Sequence, residues 1–251
     1  ALDEISKNLI KTTDLMVIRD PYVILGLVIL GVLVLFAISK MPDSKDISSN
    51  DNVQETIKKL FKNNRYSTGV ISQVLYVGAQ IMCWTYIYQY AEAINIDSVN
   101  AGYFQMIAFI VFFLGRAFGT YFLRFINSGK LLMFYAIFAF VLMLGVIFIE
   151  GVIGLYFLVG VSFFMSVMFP TIYGISLGKL NNEESKIGSA GLVMAIVGGA
   201  LMPKLQATII DIGGYAVNDI RFLGVSEINL SFILPALCFI YIARYGLKNQ
   251  N

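Results

Sequence analysis

Long apolar runs alternate with polar segments along most of this chain. Seven runs qualify as transmembrane helices, since a helix needs about 20 apolar residues to cross the bilayer core. They are Tyr22–Ser39, Gly69–Ala91, Ala101–Leu123, Leu131–Ile149, Val152–Gly178, Ile187–Ile210 and Asn229–Ala243. The pattern predicts an all-α membrane protein whose fourth and fifth spans form a tight hairpin across Glu150 and Gly151.

Three polar segments are longer than the others: Ala1–Asp20, Pro42–Thr68 and Asp211–Glu227. The second contains VQETIKKLFKNN, in which apolar residues have helical spacing among lysines. These apolar residues are Val53, Ile57, Leu60 and Phe61. The spacing predicts a short amphipathic helix, either along the membrane surface or as a solvated linker.

The basic residues orient the predicted spans. If the segments alternate between two sides, one side holds 13 lysines and arginines and the other holds 5. The first set is Lys40, Lys45, Lys58, Lys59, Lys62, Arg65, Arg116, Arg124, Lys130, Lys179, Lys186, Arg244 and Lys248, and the second is Lys7, Lys11, Arg19, Lys204 and Arg221. Since cytoplasmic loops carry the excess, Pro42–Thr68 and the C-terminus are predicted to be cytoplasmic.

The longest cytoplasmic loop follows the first span, and six closely connected spans follow that loop. We therefore expect three parts: an outer segment with one span over 1–41, a loop over 42–68 and a six-helix bundle over 69–251. One span, a basic loop and six spans is what a twelve-span protein retains without its first five spans.

Composition narrows the chemistry. The chain is 58% hydrophobic and 14% charged, whereas soluble domains are nearer a quarter charged. It has no histidine, which excludes histidine relays and metal ligands. Cys83 and Cys238 lie in apolar runs and are interpreted as small hydrophobic residues. No basic stripe points to nucleic acid, and we expect neither a metal nor a cofactor.

The second span, YVGAQIMCWTYIYQYAEA, is the most polar. Gln80, Trp84 and Tyr88 recur every four residues and share one helix face, and Gln89 follows. Amides in hydrocarbon are costly unless paired, so this face favours a cavity. Amides and an indole also suit a sugar. The alternative is that the glutamines bond between helices and the aromatic residues mark the interface. Gln105 in the third span is a further candidate.

The fifth span carries Pro170 near its middle, followed by Thr171 and Tyr173. A proline inside a membrane helix is tolerated where neighbours satisfy the freed carbonyl or where the helix lines a cavity. These hydroxyls either satisfy the local backbone or face a polar solute.

Glycine-rich stretches in the third and sixth spans are candidates for close helix contact and gating. The arginines of the third span serve either as anchors on the cytoplasmic side or as a conformational latch. The candidates are Gly115, Arg116, Gly119, Arg124, Gly198 and Gly199, together with Pro170 in the fifth span.

Five stretches resemble, in order, the C-terminal portion of the L-fucose–proton symporter family, within the fucose/galactose/glucose branch of the major facilitator superfamily. They are YVGAQIMCWTYIYQYA, GRAFGTYFLRF, FMSVMFPTIYGISLGKL, GSAGLVMAIVGGALMPKLQ and LPALCFIYIAR, and the resemblance covers about residues 20–246.

The resemblance implies two six-helix bundles around a central cavity and import of a hexose, most favourably L-fucose, by proton symport with alternating access. It places the essential carboxylates in the absent N-terminal bundle, and no span here carries an acidic residue at its middle. It also implies that Gly115, Arg116, Gly119 and Arg124 are structural and gating residues. The expected location is the inner membrane of a bacterium, and the expected partners are the sugar, the proton, the lipid bilayer and the missing bundle.

Three alternatives remain. A glucose/galactose symporter of the same branch fits the same residues. A seven-helix receptor or sensor fits if the chain is complete. An intramembrane enzyme would need a nucleophile–base pair or metal ligands within the membrane, and neither is visible, so we expect no enzyme.

Overall fold

The computed structural model describes residues 4–39, 53–211, 221–222 and 224–250, and it divides the chain into two compact units, 1–50 and 51–251. The first unit contains helix α1, Glu4–Ile38. The predicted span Tyr22–Ser39 lies on this helix apart from its last residue, and its large side chains from Tyr22 to Leu35 are exposed. Most of the predicted outer connection, Asp211–Glu227, and the start of the predicted loop, 42–52, lie outside the described residues.

The second unit is built almost entirely of helices, joined by short connections. The helices are α2 (Val53–Lys62), α3 (Asn64–Thr85), α4 (Ile87–Ala93), α5 (Ser98–Phe122), α6 (Ser128–Phe148), α7 (Val152–Met165), α8 (Met168–Leu177), α9 (Asn182–Met194), α10 (Gly198–Ile210), α11 (Glu227–Ser231) and α12 (Ile233–Lys248). A 3₁₀ turn, Ala195–Val197, joins α9 to α10, and strands β1 (Arg221–Phe222) and β2 (Val225–Ser226) form an antiparallel hairpin.

Six stretches of the described chain are long and apolar enough to cross a membrane. They are Asn64–Ala93, Ser98–Phe122, Ser128–Phe148, Val152–Leu177, Asn182–Ile210 and Glu227–Lys248. They correspond to the last six predicted runs, which confirms the prediction of an all-helical, multi-pass membrane protein. The tight hairpin between α6 and α7 is also present, with Gly151 at a φ of 83°, a conformation that glycine adopts without strain.

Polar side chains cap the first turns of four helices. Asn63, Asp97 and Asn127 accept backbone hydrogen bonds at the first turns of α3, α5 and α6. Asn181 and Glu184 form a reciprocal capping box at the start of α9. These polar residues set the ends of the apolar helices, because the first backbone N–H groups of a helix have no partner within it.

Four of the membrane-length stretches are interrupted. Tyr86 separates α3 from α4, Ser166 and Val167 separate α7 from α8, the 3₁₀ turn separates α9 from α10, and Phe232 separates α11 from α12. Pro170 comes after the second break, as the third residue of α8, and it is exposed. A proline is tolerated there because the first turn of a helix needs no donor from that nitrogen. The fifth predicted span is therefore interrupted before Pro170 in the sequence and not after it.

The core lies where α3, α6, α7, α8 and α12 meet. Its largest fully buried side chains include Tyr76, Met82, Leu155, Leu158 and Phe239. Cys83 and Cys238 are both buried within it as free thiols. Close packing in this region fixes the helices that carry the candidate residues.

Candidate functional site

Trp84 is held between α5 and α7. Its indole N–H donates a 3.2 Å hydrogen bond to the hydroxyl oxygen of Ser162. The rings of Phe109 and Phe112 meet the indole edge-on, with centroids 5.0 and 5.1 Å away. The side chain is only half-buried, so a fixed aromatic ring remains partly accessible. Ser162, which is fully buried, was not among the sequence candidates.

Gln80 and Gln89 flank Trp84 along the second predicted span. Gln80 lies one turn before Trp84 on α3, and Gln89 lies beyond the break at Tyr86, on α4. Both side chains are half-buried, and the amide oxygen of Gln89 is enclosed with no hydrogen-bond partner in the described part of the chain. The predicted face formed by Gln80, Trp84 and Tyr88 therefore crosses a helix interruption, and Tyr88 at its end is 44% exposed.

Gln105 lies on α5, one turn before Phe109, which contacts the indole. Its amide oxygen is likewise enclosed and unpaired within the residues described. The structure thus gathers Gln105 and Trp84 at the contact between the second and third predicted spans. An enclosed amide oxygen without a donor is costly, and a ligand hydroxyl or a water would relieve that cost.

Thr171 and Tyr173 lie apart from this group, on α8. The hydroxyl of Thr171, which is 5% exposed, donates a 2.6 Å hydrogen bond to the carbonyl of Val167 at the helix break. The ring of Tyr173 stacks on Phe169, with centroids 6.4 Å apart. It also packs against a small cluster that includes Leu60 of α2. Thr171 satisfies local backbone, and Tyr173 lies towards the end of the bundle where α2 packs.

Gly115 and Gly119 lie where α5 crosses the break between α7 and α8. A Cβ atom at Gly115 would overlap the carbonyl oxygen of Phe163, and one at Gly119 would lie 2.9 Å or less from both methyl groups of Val167. Arg116, between them, is exposed, with its guanidinium carbon 5.7 Å from the centre of the Phe112 ring. The glycines thus permit close approach of the helices.

The other gating candidates are likewise an exposed arginine, Arg124, and two glycines at a close helix contact, Gly198 and Gly199. Arg124 is exposed just after α5. A Cβ at Gly198 would overlap the carbonyl oxygen of Val74 on α3, and one at Gly199 would lie 3.0 Å from Ile81. Both glycines follow the 3₁₀ turn, so the interruption in the sixth span comes immediately before its closest contact with α3.

Gln73 was missed by the sequence interpretation. It is fully buried on α3, and neither its amide nitrogen nor its amide oxygen has a partner among the described residues. It lies seven residues before Gln80, on nearly the same helix face, which was the available signal. Its burial depends on α8 and α12, which sequence periodicity does not place.

A second polar group surrounds α11. Asn229 donates hydrogen bonds to the carbonyl of Val146 at 2.6 Å and to the hydroxyl of Tyr90 at 3.3 Å. Gln206 donates a 2.9 Å hydrogen bond to Ser231. Arg221 pairs with Glu150, which joins the β-hairpin to the end of α6. These contacts join the last span to the bundle, although the amide oxygen of Gln206 has no partner among the described residues.

The chain is similar along nearly its whole length to two bacterial transporters. It is 46% identical over 248 residues to the L-fucose-proton symporter of Haemophilus influenzae, covering 98% of this chain and 56% of that protein. It is 30% identical over 240 residues to the glucose/galactose transporter of Brucella abortus, covering 92% of this chain and 53% of that protein. No family model matches the chain.

The fold is that of a solved transporter. The crystal structure of the Escherichia coli fucose:proton symporter matches all of this chain and 59% of its own, with a TM-score of 0.80 and 27% identity. The chain therefore spans about half the length of the relatives that it matches.

Proposed function

We propose that this chain, a homologue of the L-fucose-proton symporters with their major facilitator superfamily fold, is a portion of a secondary transporter that carries a hexose together with a proton. The proposal rests on the similarity to the Haemophilus influenzae symporter, which extends over 98% of this chain. The half-buried indole of Trp84 supports it, together with the amide oxygen of Gln105, which has no partner among the described residues and lies one turn from Phe109, a contact of that indole. An aromatic ring covers the apolar face of a sugar, and amides bind its hydroxyls.

In this proposal the chain supplies three parts of the full-length protein. Residues 1–41 end an N-terminal bundle, 42–68 form the central cytoplasmic loop and 69–251 form the C-terminal bundle. The other bundle supplies the proton-binding carboxylates. The protein lies in the inner membrane of a bacterium and needs no cofactor other than the coupled proton.

Trp84 is the residue on which we expect the sugar to stack, with Gln80, Gln89 and Gln105 as hydrogen-bonding partners. Tyr173 would contact the sugar further along its route through the bundle, at the end where α2 packs. Thr171 contacts the sugar only after its bond to Val167 is released. No group in this set forms a covalent bond with the substrate, because transport requires only binding and alternating access.

Uptake of labelled L-fucose by the full-length protein tests this assignment. Trp84→Ala should raise the apparent KM about two- to tenfold, since an aromatic contact is worth about 0.5–1.5 kcal/mol. Trp84→Phe keeps an aromatic face and should lose less. Phe148→Ala, at an exposed aromatic residue at the end of α6, is the control. Unchanged KM values for Trp84→Ala and Gln80→Ala would refute the site.

Glucose or galactose is the alternative substrate, and the Brucella abortus relative favours it. Competition separates the two. Unlabelled L-fucose should displace the labelled sugar at lower concentration than D-galactose or D-glucose. The reverse order would assign the chain to the glucose/galactose transporters while leaving the site itself intact.

A further inference from the structure

Helix α2 is fixed to one end of the bundle. Leu60 is 3% exposed and packs in one cluster with Tyr66 of α3 and Leu192 of α9. The ammonium group of Lys59 lies 2.9 Å from a carboxylate oxygen of Glu184 in the capping box of α9. One face of α2 is therefore bound to the bundle, which rules out a freely solvated linker helix.

The remaining surface of α2 carries apolar and basic side chains, with one exposed carboxylate, Glu55, in its first turn. Phe61 is 63% exposed and Ile57 is 39% exposed, one turn apart on the helix. Lys58 and Lys62 follow them directly in sequence and are exposed. Exposed aromatic and aliphatic side chains that alternate with lysines are typical of helices that lie in the membrane interface.

The position of α2 matches the level of that interface. Only Asn63 separates α2 from α3, which begins a membrane-length stretch at Asn64. Arg65 donates a 2.9 Å hydrogen bond from its Nε to the carbonyl of Ile175, near the end of α8. The start of α3, the last turn of α8 and the end of α2 thus lie together, where lipid headgroups surround a membrane protein.

A cavity opens beside the helix. It has a volume of about 320 Å³ and is lined by Lys59, Leu60, Lys62, Asn63, Leu180 and Glu184. Glu184 pairs with Lys59, so the charge of Lys62 remains available to an anionic group at the rim. The cavity is large enough for a phosphate group with its glycerol.

We propose that α2 is a binding surface for anionic phospholipids of the cytoplasmic leaflet. Phe61 and Ile57 enter the boundary between headgroups and acyl chains, and Lys58 and Lys62 bind the lipid phosphates. Each lysine near an anionic membrane surface adds to the attraction, and the apolar side chains add an anchor that salt does not screen. This surface lies away from Trp84, so the proposal does not depend on which solute is transported.

The test uses the full-length protein in nanodiscs of phosphatidylcholine, with or without phosphatidylglycerol, and measures thermal unfolding and the lipids retained after extraction. Phosphatidylglycerol should raise the Tm of the unaltered protein. Lys58→Gln with Lys62→Gln should abolish that rise and reduce retained phosphatidylglycerol about tenfold or more. Phe61→Ser should weaken retention even in high salt.

A matched control removes the same charge elsewhere. Lys130→Gln with Lys204→Gln replaces two exposed lysines, one in the first turn of α6 and one within α10, and should leave the lipid effect intact. Equal stabilisation by phosphatidylcholine alone, or equal loss in both double variants, would overturn the proposal. Because the readout is lipid binding, a failure here leaves the transport assignment untouched, and a failure of uptake leaves this surface untouched.

Discussion

At the scale of single residues, Gln73 is fully buried, and its two amide atoms have no hydrogen-bond partner in the described part of the chain. One turn before it, a Cβ at Gly69 would overlap Ser176, whose hydroxyl lies 2.9 Å from that of Tyr245. One turn after it, Tyr76 donates a 2.9 Å hydrogen bond to the carbonyl of Met165. The Gln73 amide thus lies between two hydrogen-bonded pairs but makes no hydrogen bond to the described residues. A buried amide without partners costs about 1–3 kcal/mol of stability.

Gln73→Leu should therefore stabilise the bundle. Leucine fills a similar volume and removes the unpaired polar atoms, so we expect the free energy of unfolding to rise by about 1 kcal/mol or more. Thermal unfolding in detergent measures the change. Gln206→Leu is the comparison. The amide oxygen of Gln206 also has no partner among the described residues, but its amide nitrogen donates a 2.9 Å hydrogen bond to Ser231, and we expect the loss of that bond to make this variant destabilising. If Gln73→Leu also destabilises, a buried water satisfies the amide.

Sequence periodicity made Trp84 a candidate because glutamine and tyrosine recur at four-residue intervals around it. It could not identify Ser162, a single hydroxyl in an apolar run, because the hydrogen bond between them joins residues 78 positions apart. Thr171 shows the opposite limit. Its position behind a proline indicated a polar face, whereas its hydroxyl bonds the carbonyl four residues earlier. Local spacing gives the face of a helix, and packing decides what occupies it.

At the scale of helices, two of the breaks within membrane-length stretches lie beside the points where helices cross most closely. The break between α7 and α8 lies against Gly115 and Gly119 of α5, and the 3₁₀ turn precedes the contact of Gly198 with α3. Proline and glycine signalled irregularity in the fifth and sixth spans, although the breaks themselves lie a few residues earlier. The break at Tyr86 had no such signal, since neither residue type is present beside it.

Gly115→Ala should destabilise the bundle by about 1–3 kcal/mol, because the added methyl group overlaps a backbone carbonyl that cannot move independently of α7. Gly174→Ala is the matched control, since a Cβ there meets no atom of the described residues within 4 Å and alanine favours the helix. Thermal unfolding of the two variants should differ in sign. Equal behaviour would show that α5 and α7 separate easily at this crossing.

At the scale of the whole molecule, two membrane-length stretches differ from the other four in burial. Within their apolar windows, 17% of residues are buried in Ser98–Phe122 and 22% in Asn182–Ile210, against 44–56% in the rest. The overall hydropathy pattern predicted all six spans but not this difference, because a lipid-facing and a protein-facing leucine have the same sequence signal. We interpret the two exposed surfaces as the contact with the N-terminal bundle of the proposed transporter.

Photo-crosslinking in the full-length protein tests that interpretation. A benzophenone side chain at Leu201, which is 58% exposed on α10, should join the two bundles, so that cleavage at a protease site inserted after Pro42 no longer separates them on a denaturing gel. The same group at Phe138, which is 52% exposed on α6, should face lipid and leave the pieces separable. Joined pieces from Phe138 but not from Leu201 would place the missing bundle against α6 instead. The exposed face of α10 would then contact lipid, and the central cavity could not lie beside it.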